Sequence, residues 1–249
     1  MPKPAIAPLI DIADLKVSCS KCSLSALCLP YGLNREELDH LEQTLIHKPT
    51  LRANEALYFA GDDYRGLCAV RSGSFKTVLT TPDGAEQITG FYLPGELLGL
   101  DGLGQDKYRC SAIALETASV CEIRKEEFKT ICSRIPNLQE QILRLMGNNF
   151  SQDQERLLSM GQLKGEERIA TFLISMGQRL RARGFSSTRF NLTMSRHDLA
   201  NYLGLAVETL SRMLSHLQER KLIAVNRRSI EILEEERIRK LAHLECRHG

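Results

Sequence analysis

The sequence predicts an α+β protein: an N-terminal β jelly-roll (cupin-like) sensor domain, a long dimerisation helix and a C-terminal winged helix-turn-helix domain. Three observations lead there. Over residues 48–123, short runs of β-forming residues alternate with turn signals at regular spacing, as in an antiparallel sandwich or barrel. Over residues 143–160 a mainly hydrophobic seam repeats at heptad spacing, as in helices that pair along their length. Over residues 193–217 two helical patterns flank Gly204, the layout of a helix-turn-helix. The expected divisions are a cysteine-rich segment at 1–30, the roll at 31–135, the dimerisation helix at 136–163 and the winged domain at 164–249.

At 249 residues the chain has room for one large or two modest domains. Hydrophobic residues make up 43% and charged residues 26%, an ordinary balance for a globular protein. No apolar run reaches bilayer-spanning length, and the N-terminus lacks a basic start followed by an apolar core. Neither a membrane span nor a secretory signal is therefore expected, and the cytoplasm is the expected location. The net charge is only +2 but unevenly divided. Of 33 Lys/Arg and 31 Asp/Glu, residues 161–249 hold 16 and 10, a balance of +6, leaving 17 and 21, or −4, for residues 1–160. The basic excess falls on the half that carries the helix-turn-helix, as in a nucleic-acid binder. No phosphate-binding glycine loop, metal-hydrolase motif or nucleophile–base pair points to an enzyme. Eight cysteines in a cytosolic chain argue against a disulfide framework and for metal ligation, redox chemistry or core packing.

Residues 1–18 form a weakly patterned leader, expected to be mobile. Cys19, Cys22 and Cys28 then fall at C-x2-C-x5-C spacing in a short polar segment with little core to enter, which points to ligation of a metal or an iron–sulfur cluster. Four thiolates complete such a centre, so one more ligand must come from elsewhere. Residues 33–46 pattern as a short amphipathic helix capped by Asn34. The strand series follows: Ala56-Leu-Tyr-Phe59 before Gly61-Asp-Asp63, Leu67-Cys-Ala-Val70 before Arg71-Ser-Gly73, Ser74-Phe-Lys-Thr-Val-Leu79 before Pro82-Asp-Gly84, and Gln87-Ile-Thr-Gly-Phe-Tyr92 before Pro94-Gly95. Ala118-Ser-Val-Cys-Glu-Ile123 closes it, with Cys121 on the strand face of Ser119 and Ile123. Cys68, Cys110, Cys121 and Cys132 all stay open as the fourth thiolate, because spacing does not choose among them. Most of these are expected to be core, where free Cys is common.

Pro136 opens a helical stretch that runs to about residue 163. Leu143, Met146, Phe150, Asp153, Leu157 and Met160 step along it by 3, 4, 3, 4 and 3. In a parallel homodimer two Asp153 carboxylates would face each other across that seam, and close like charges are unfavourable there. A weak dimer is expected, one that a signal from the roll can tip. A further helix is expected over 165–183. Ser195, with Asp198 three residues on, forms a near capping box for a first short helix ending near Leu203, and Gly204 suits the sharp turn. Val207, Leu210, Leu214 and Leu217 make the core-facing stripe of a second helix. Its other face carries Glu208, Ser211, Arg212 and Ser215. Arg pairs bidentately with guanine, a carboxylate accepts from the cytosine amino group and Ser serves either, so this face is expected to read double-stranded DNA in the major groove. Leu222-Ile-Ala-Val225 and Ile230-Glu-Ile232, joined through Asn226-Arg-Arg-Ser229, read as a two-stranded wing whose Arg227 and Arg228 suit phosphate contact.

These parts, in this order, resemble the Crp/Fnr family of transcription regulators over nearly the whole chain. Arg71-Ser-Gly73, Gly95-Glu-Leu-Leu-Gly99 and the helix-turn-helix are similar to the family at large. The N-terminal cysteines, Gln87-Ile-Thr-Gly-Phe91, Leu115-Glu-Thr117, Val120-Cys-Glu122 and Val207-Glu-Thr-Leu-Ser-Arg212 are similar to its Fnr-type oxygen sensors. The resemblance implies that Cys19, Cys22, Cys28 and Cys121 ligate a [4Fe-4S] cluster; it is the resemblance that selects Cys121. It implies a homodimer that binds DNA without oxygen and is released when oxygen degrades the cluster. It further implies that Glu208, Ser211 and Arg212, with Val207 at the head of their motif, contact a palindrome with TTGAT-like halves. Thr81-Pro-Asp-Gly-Ala85 matches a surface through which the family touches RNA polymerase. Gly95-Glu96 with Arg109 is similar to the phosphate cassette of the cyclic-AMP-binding relatives, which follow the Arg with a small hydroxyl residue. Here Cys110 follows and Ser111 comes one place late, so the cassette reads as a relic. Two alternatives on the same fold are a cyclic-nucleotide-responsive regulator and a regulator whose cysteines hold structural zinc.

Overall fold

The computed structural model describes residues 19, 22 and 24–243; the leader at 1–18 lies outside them. Asn34 opens the first helix. Its Oδ1 accepts from Glu37 N at 3.0 Å while Glu37 Oε2 accepts from Asn34 N at 2.8 Å, the reciprocal cap that starts α1 (Arg35–Thr44). Eight strands then form two antiparallel sheets of four. One runs β1 (Ile46–His47), β8 (Ser119–Arg124), β3 (Gly66–Ser72), β6 (Leu97–Leu98); the other runs β2 (Ala56–Tyr58), β7 (Ser111–Ala114), β4 (Phe75–Thr80), β5 (Glu86–Tyr92).

Alternation along the strands decides what each face touches. Cys68 and Val70 of β3, with Val120 of β8, Phe75 of β4 and Ala112 of β7, fill the space between the sheets. Leu67 and Ala69, with Ile123, face the other way, onto Leu41 of α1, Ile131 of α2 (Lys125–Arg134), and Leu138 and Ile142 of α3 (Pro136–Gln162). The expected strands are present. Three strands and a helix go beyond those expected: β1 and β6 are two residues each, β7 is four residues of Ser, Ala and Ile with weak β-forming character, and α2 follows β8 without a side-chain cap. In the Arg71-Ser-Gly73 turn, Gly73 takes φ +70°, and a Cβ there would stand 2.4 Å from Thr117 O, so a side chain is excluded.

The C-terminal half begins at the break between α3 and α4 (Gly165–Arg181). One guanidinium holds that break: Arg168 donates to the carbonyls of Leu163 (2.9 Å), Met160 (2.9 Å) and Leu203 (3.1 Å). Ser195 and Asp198 complete both bonds of their capping box at the head of α5 (Arg196–Leu203), and Gly204 takes the left-handed φ of +64° before α6 (Val207–Glu219). The wing holds three strands, one more than expected. β10 (Ile223–Asn226) and β11 (Ser229–Ile232) form the hairpin, and β9 (Arg189–Asn191), too short to announce itself, pairs with β11. A last short helix, α7 (Glu235–Leu241), packs against α4.

The two halves share one core. Val78, Ile88 and Phe91 of the roll pack with Phe172, Leu199 and Leu203 of the C-terminal half, and Phe91 lies 4.9 Å from Tyr202, centroid to centroid. β5 is an edge strand, and Asn201 of α5 covers that edge: its Oδ1 accepts from Ile88 N at 2.6 Å and its Nδ2 donates to Glu86 O at 2.8 Å. Lys76 pairs with Asp198 at 2.5 Å. Glu96, on the turn after β5, accepts from Arg179 Nε (2.9 Å), Arg179 Nη2 (2.5 Å), Arg183 Nη2 (2.8 Å) and Leu93 N (3.0 Å), and all three charged side chains are largely buried.

Burial alone would raise the Glu96 carboxyl, but Arg179 and Arg183 outweigh it and hold it below the usual carboxylate range. Removing one member of a buried ion pair typically costs about 3–5 kcal/mol because the partner charge is stranded. Glu96→Ala should lose stability of that order in denaturant unfolding at neutral pH. A group with a depressed folded pKa stabilises above its unfolded value, near 4.3 for Glu, and loses that contribution as pH falls through the lower folded value. The gap between wild type and Glu96→Ala should therefore close on acidification below about pH 4.

Candidate functional site: converging thiols and an exposed recognition helix

Cys19, Cys22 and Cys28 lie on successive turns of one loop, closed by Cys22 N to Cys19 O (3.2 Å), Ser25 N to Cys22 O (3.1 Å) and Cys28 N to Leu24 O (3.0 Å). The loop is pinned at three points. Leu29 is buried among the helices, Gln141 Nε2 of α3 donates to Cys28 O at 2.9 Å, and Leu27 lies against Gly95, where a Cβ would come 3.3 Å from that of Leu27. Cys121 arrives from the middle of β8, opposite Ala69 on β3 and His47 on β1. Its Sγ lies 3.3 Å from His47 Nδ1.

Cys19, Cys28 and Cys121 lie on the apolar layer outside the first sheet, and Cys22 is close enough to bear on their charges. In every pairing among them, the thiolate charge of one raises the pKa of another. Burial is the larger cause and, with that repulsion, pushes Cys19 and Cys28 up to about 12 and Cys121 to about 11; the Arg71 guanidinium opposes it at Cys19 and Cys121. Cys19, Cys28 and Cys121 therefore ionise poorly by themselves, and a bound cationic centre relieves both penalties. The other cysteines within the described residues are elsewhere or separate. Cys68 faces the space between the sheets, Cys110 donates to Asp101 Oδ2 at 3.2 Å, and Cys132 on α2 is raised by burial with no thiolate beside it. Among the described residues, no three His, Cys, Asp or Glu side chains close on one point as a single metal ion requires.

On α6, Leu210, Leu214 and Leu217 are buried while Glu208, Ser211, Arg212 and Ser215 are exposed along one face. Val207, expected both on the core-facing stripe and at the head of the DNA-contacting motif, packs partly on the core and stands half-buried beside that face. Arg227 and Arg228 are exposed at the tip of the wing. On α3, Leu143, Phe150 and Leu157 stand 59%, 64% and 68% exposed, so the seam lacks an intrachain cover there. Asp153 is exposed between them, and desolvation raises its pKa against the pull of Arg156. Two seam residues differ. Met146 packs partly under the helices of the roll, and the Met160 methyl approaches Gly204, so both are turned toward their own chain.

Residues 48–135 match the cyclic nucleotide-binding domain family and residues 167–241 the Crp-like helix-turn-helix domain family. The transcriptional activator protein Anr of Pseudomonas protegens is 43% identical over 222 residues, covering 89% of this chain and 91% of the relative. The fumarate and nitrate reduction regulatory protein of Vibrio cholerae is 42% identical over 96% of both chains. The solved structure of FixK2 from Bradyrhizobium japonicum superposes with a TM-score of 0.72 at 26% identity, covering 79% of this chain and 96% of that one. The chain belongs to the Crp/Fnr family.

As a Crp/Fnr protein it is a DNA-binding transcription regulator and not an enzyme. No helix among its described residues is long and apolar enough to cross a membrane. The elements of this Crp/Fnr chain that match the nucleotide cassette are taken apart. A cavity of about 630 Å³ between the roll and α3 is lined by Arg109, Cys110, Asp101, Tyr92, Phe150 and Asp153 among others, but Glu96 is not on its wall. Glu96 is occupied by Arg179 and Arg183. Ser111, the hydroxyl one place late, accepts from Ala60 N at 3.0 Å. Carboxylate and hydroxyl are thus both engaged in holding the fold.

Proposed function

We propose that this Crp/Fnr regulator senses oxygen through a [4Fe-4S] cluster ligated by Cys19, Cys22, Cys28 and Cys121. In this reading the loaded chain forms a homodimer, occupies a palindrome with TTGAT-like halves and recruits RNA polymerase under anaerobic conditions, in the cytoplasm. The observation that carries it is the meeting of thiols from two distant stretches, with Cys19, Cys28 and Cys121 on one apolar surface and Cys22 beside them. Similarity to Anr and to a fumarate and nitrate reduction regulator favours the same reading.

The donors fit the group. Four soft thiolates suit an iron–sulfur centre. When bound, the cluster supplies an oxygen-labile redox centre. The chain's own residues carry its state onward. Gln141 ties the Cys28 carbonyl to α3, and Leu143, two residues on, begins the exposed seam. Leu143, Phe150 and Leu157 would be covered by a second copy, with Asp153 opposing Asp153 and keeping the pair weak. Glu208, Ser211 and Arg212 would read base edges, with Arg227 and Arg228 on phosphates. The exposed Thr81–Ala85 turn would meet the polymerase.

Protein purified without oxygen should carry iron and acid-labile sulfide in equal amounts and show a charge-transfer absorption that bleaches in air. Colourless protein carrying zinc would favour the structural-metal alternative instead. Asp153→Ala should tighten self-association in sedimentation velocity, and unchanged behaviour would reject the role given to that carboxylate. In gel-shift titrations Arg212→Ala should cost roughly 1–3 kcal/mol and relax preference at one base pair, whereas Arg228→Ala should weaken all sequences alike and lower the salt slope. A neutral Arg212→Ala would mean that a different face reads the DNA.

A further inference from the structure

We propose that His47 is a positioning residue for the cluster: in the loaded chain its Nδ1–H donates to the Cys121 sulfur and so sets how firmly that ligand, and the centre with it, is held. The inference rests on the cluster reading above. Its geometric basis is independent of that reading. β1 is a two-residue edge strand, and it pairs with β8 so that His47 stands directly opposite Cys121. Directly opposed residues of an antiparallel pair point to the same face, with Cβ atoms about 4.5–5.5 Å apart. Here the imidazole nitrogen reaches Sγ at 3.3 Å.

The chemistry of the contact changes on ligation. A free thiol can donate its S–H to Nδ1. A ligating sulfur has lost that proton and can only accept. The contact survives loading only if the ring carries its hydrogen on Nδ1, which fixes the tautomer. An N–H aimed at a ligating sulfur draws electron density from it and raises the reduction potential, and the fixed direction of the bond holds the sulfur in place against loss. The position matters because three of the four sulfurs come from one loop, while Cys121 alone belongs to the roll. A bond that steadies Cys121 steadies the seam between loop and roll.

The test uses the full chain loaded anaerobically, as wild type, His47→Gln and His47→Phe. Glutamine keeps an N–H donor; phenylalanine keeps the ring volume without one. Two readings are taken: the rate of iron transfer to ferrozine without oxygen, and the cluster's midpoint potential in a dye-mediated titration. His47→Phe should release iron roughly tenfold faster, the low end of the loss seen when outer-shell partners of metal ligands are removed, and its potential should fall. His47→Gln should stay close to wild type in both. A His47→Phe protein that matches wild type in both overturns the inference. So does a His47→Gln protein as impaired as His47→Phe, since that reports lost fit rather than a lost donor. Wild type without iron and sulfide would instead overturn the cluster reading itself, and the role of His47 with it.

Discussion

The angle between the roll and the C-terminal half depends on one largely buried carboxylate. Glu96 belongs to the roll, yet its donors, Arg179 and Arg183, belong to the C-terminal half. The apolar joint around it, with Phe91 against Phe172 and Tyr202, supplies most of the attraction but little direction, because hydrophobic burial scales with area and not with angle. Hydrogen bonds to a buried carboxylate do have direction, and leaving them unmade strands charge in a dry place. Asn201 adds a second directional constraint by covering the free edge of β5. The joint is therefore defined in angle as well as held in place.

The same turn is a neighbour of the thiol loop. Leu27 rests on Gly95, and Glu96 is the next residue. Gln141 fastens the loop on its other side to α3. Two short chains of contact leave the loop in this way, one through the β5–β6 turn to α4 and one directly into the helix with the exposed seam. A displacement of the loop meets both, because packed interiors transmit strain and do not absorb it.

The same arrangement gives the residues at the nucleotide-cassette positions other partners. The architecture matches the family, but the cassette carboxylate now joins two domains, and the hydroxyl one place late is bonded to the backbone of Ala60. Fold and site are separable. The roll supplies a rigid face, and what the face holds is decided by a few side chains at its edges.

Much was legible in the sequence because it rests on local chemistry. The capping residues Asn34 and Ser195, the turn at Gly204, the stripe of Leu210, Leu214 and Leu217, and the β-forming runs of β3 and β5 between their turn signals each follow from neighbours a few positions away. Short elements whose stability comes from distant partners were not legible: β1, β6, β7 and β9 are ordered by the strands beside them. The cysteines show the division most clearly. Spacing marks Cys19, Cys22 and Cys28 as a group, but leaves Cys68, Cys110, Cys121 and Cys132 all open as candidates to join them. Strand register puts Cys68 opposite Glu122, facing the space between the sheets, and Cys121 opposite His47 and Ala69, facing the thiol loop. Which face a strand residue takes depends on pairing across the sheet, and only the tertiary structure decides that.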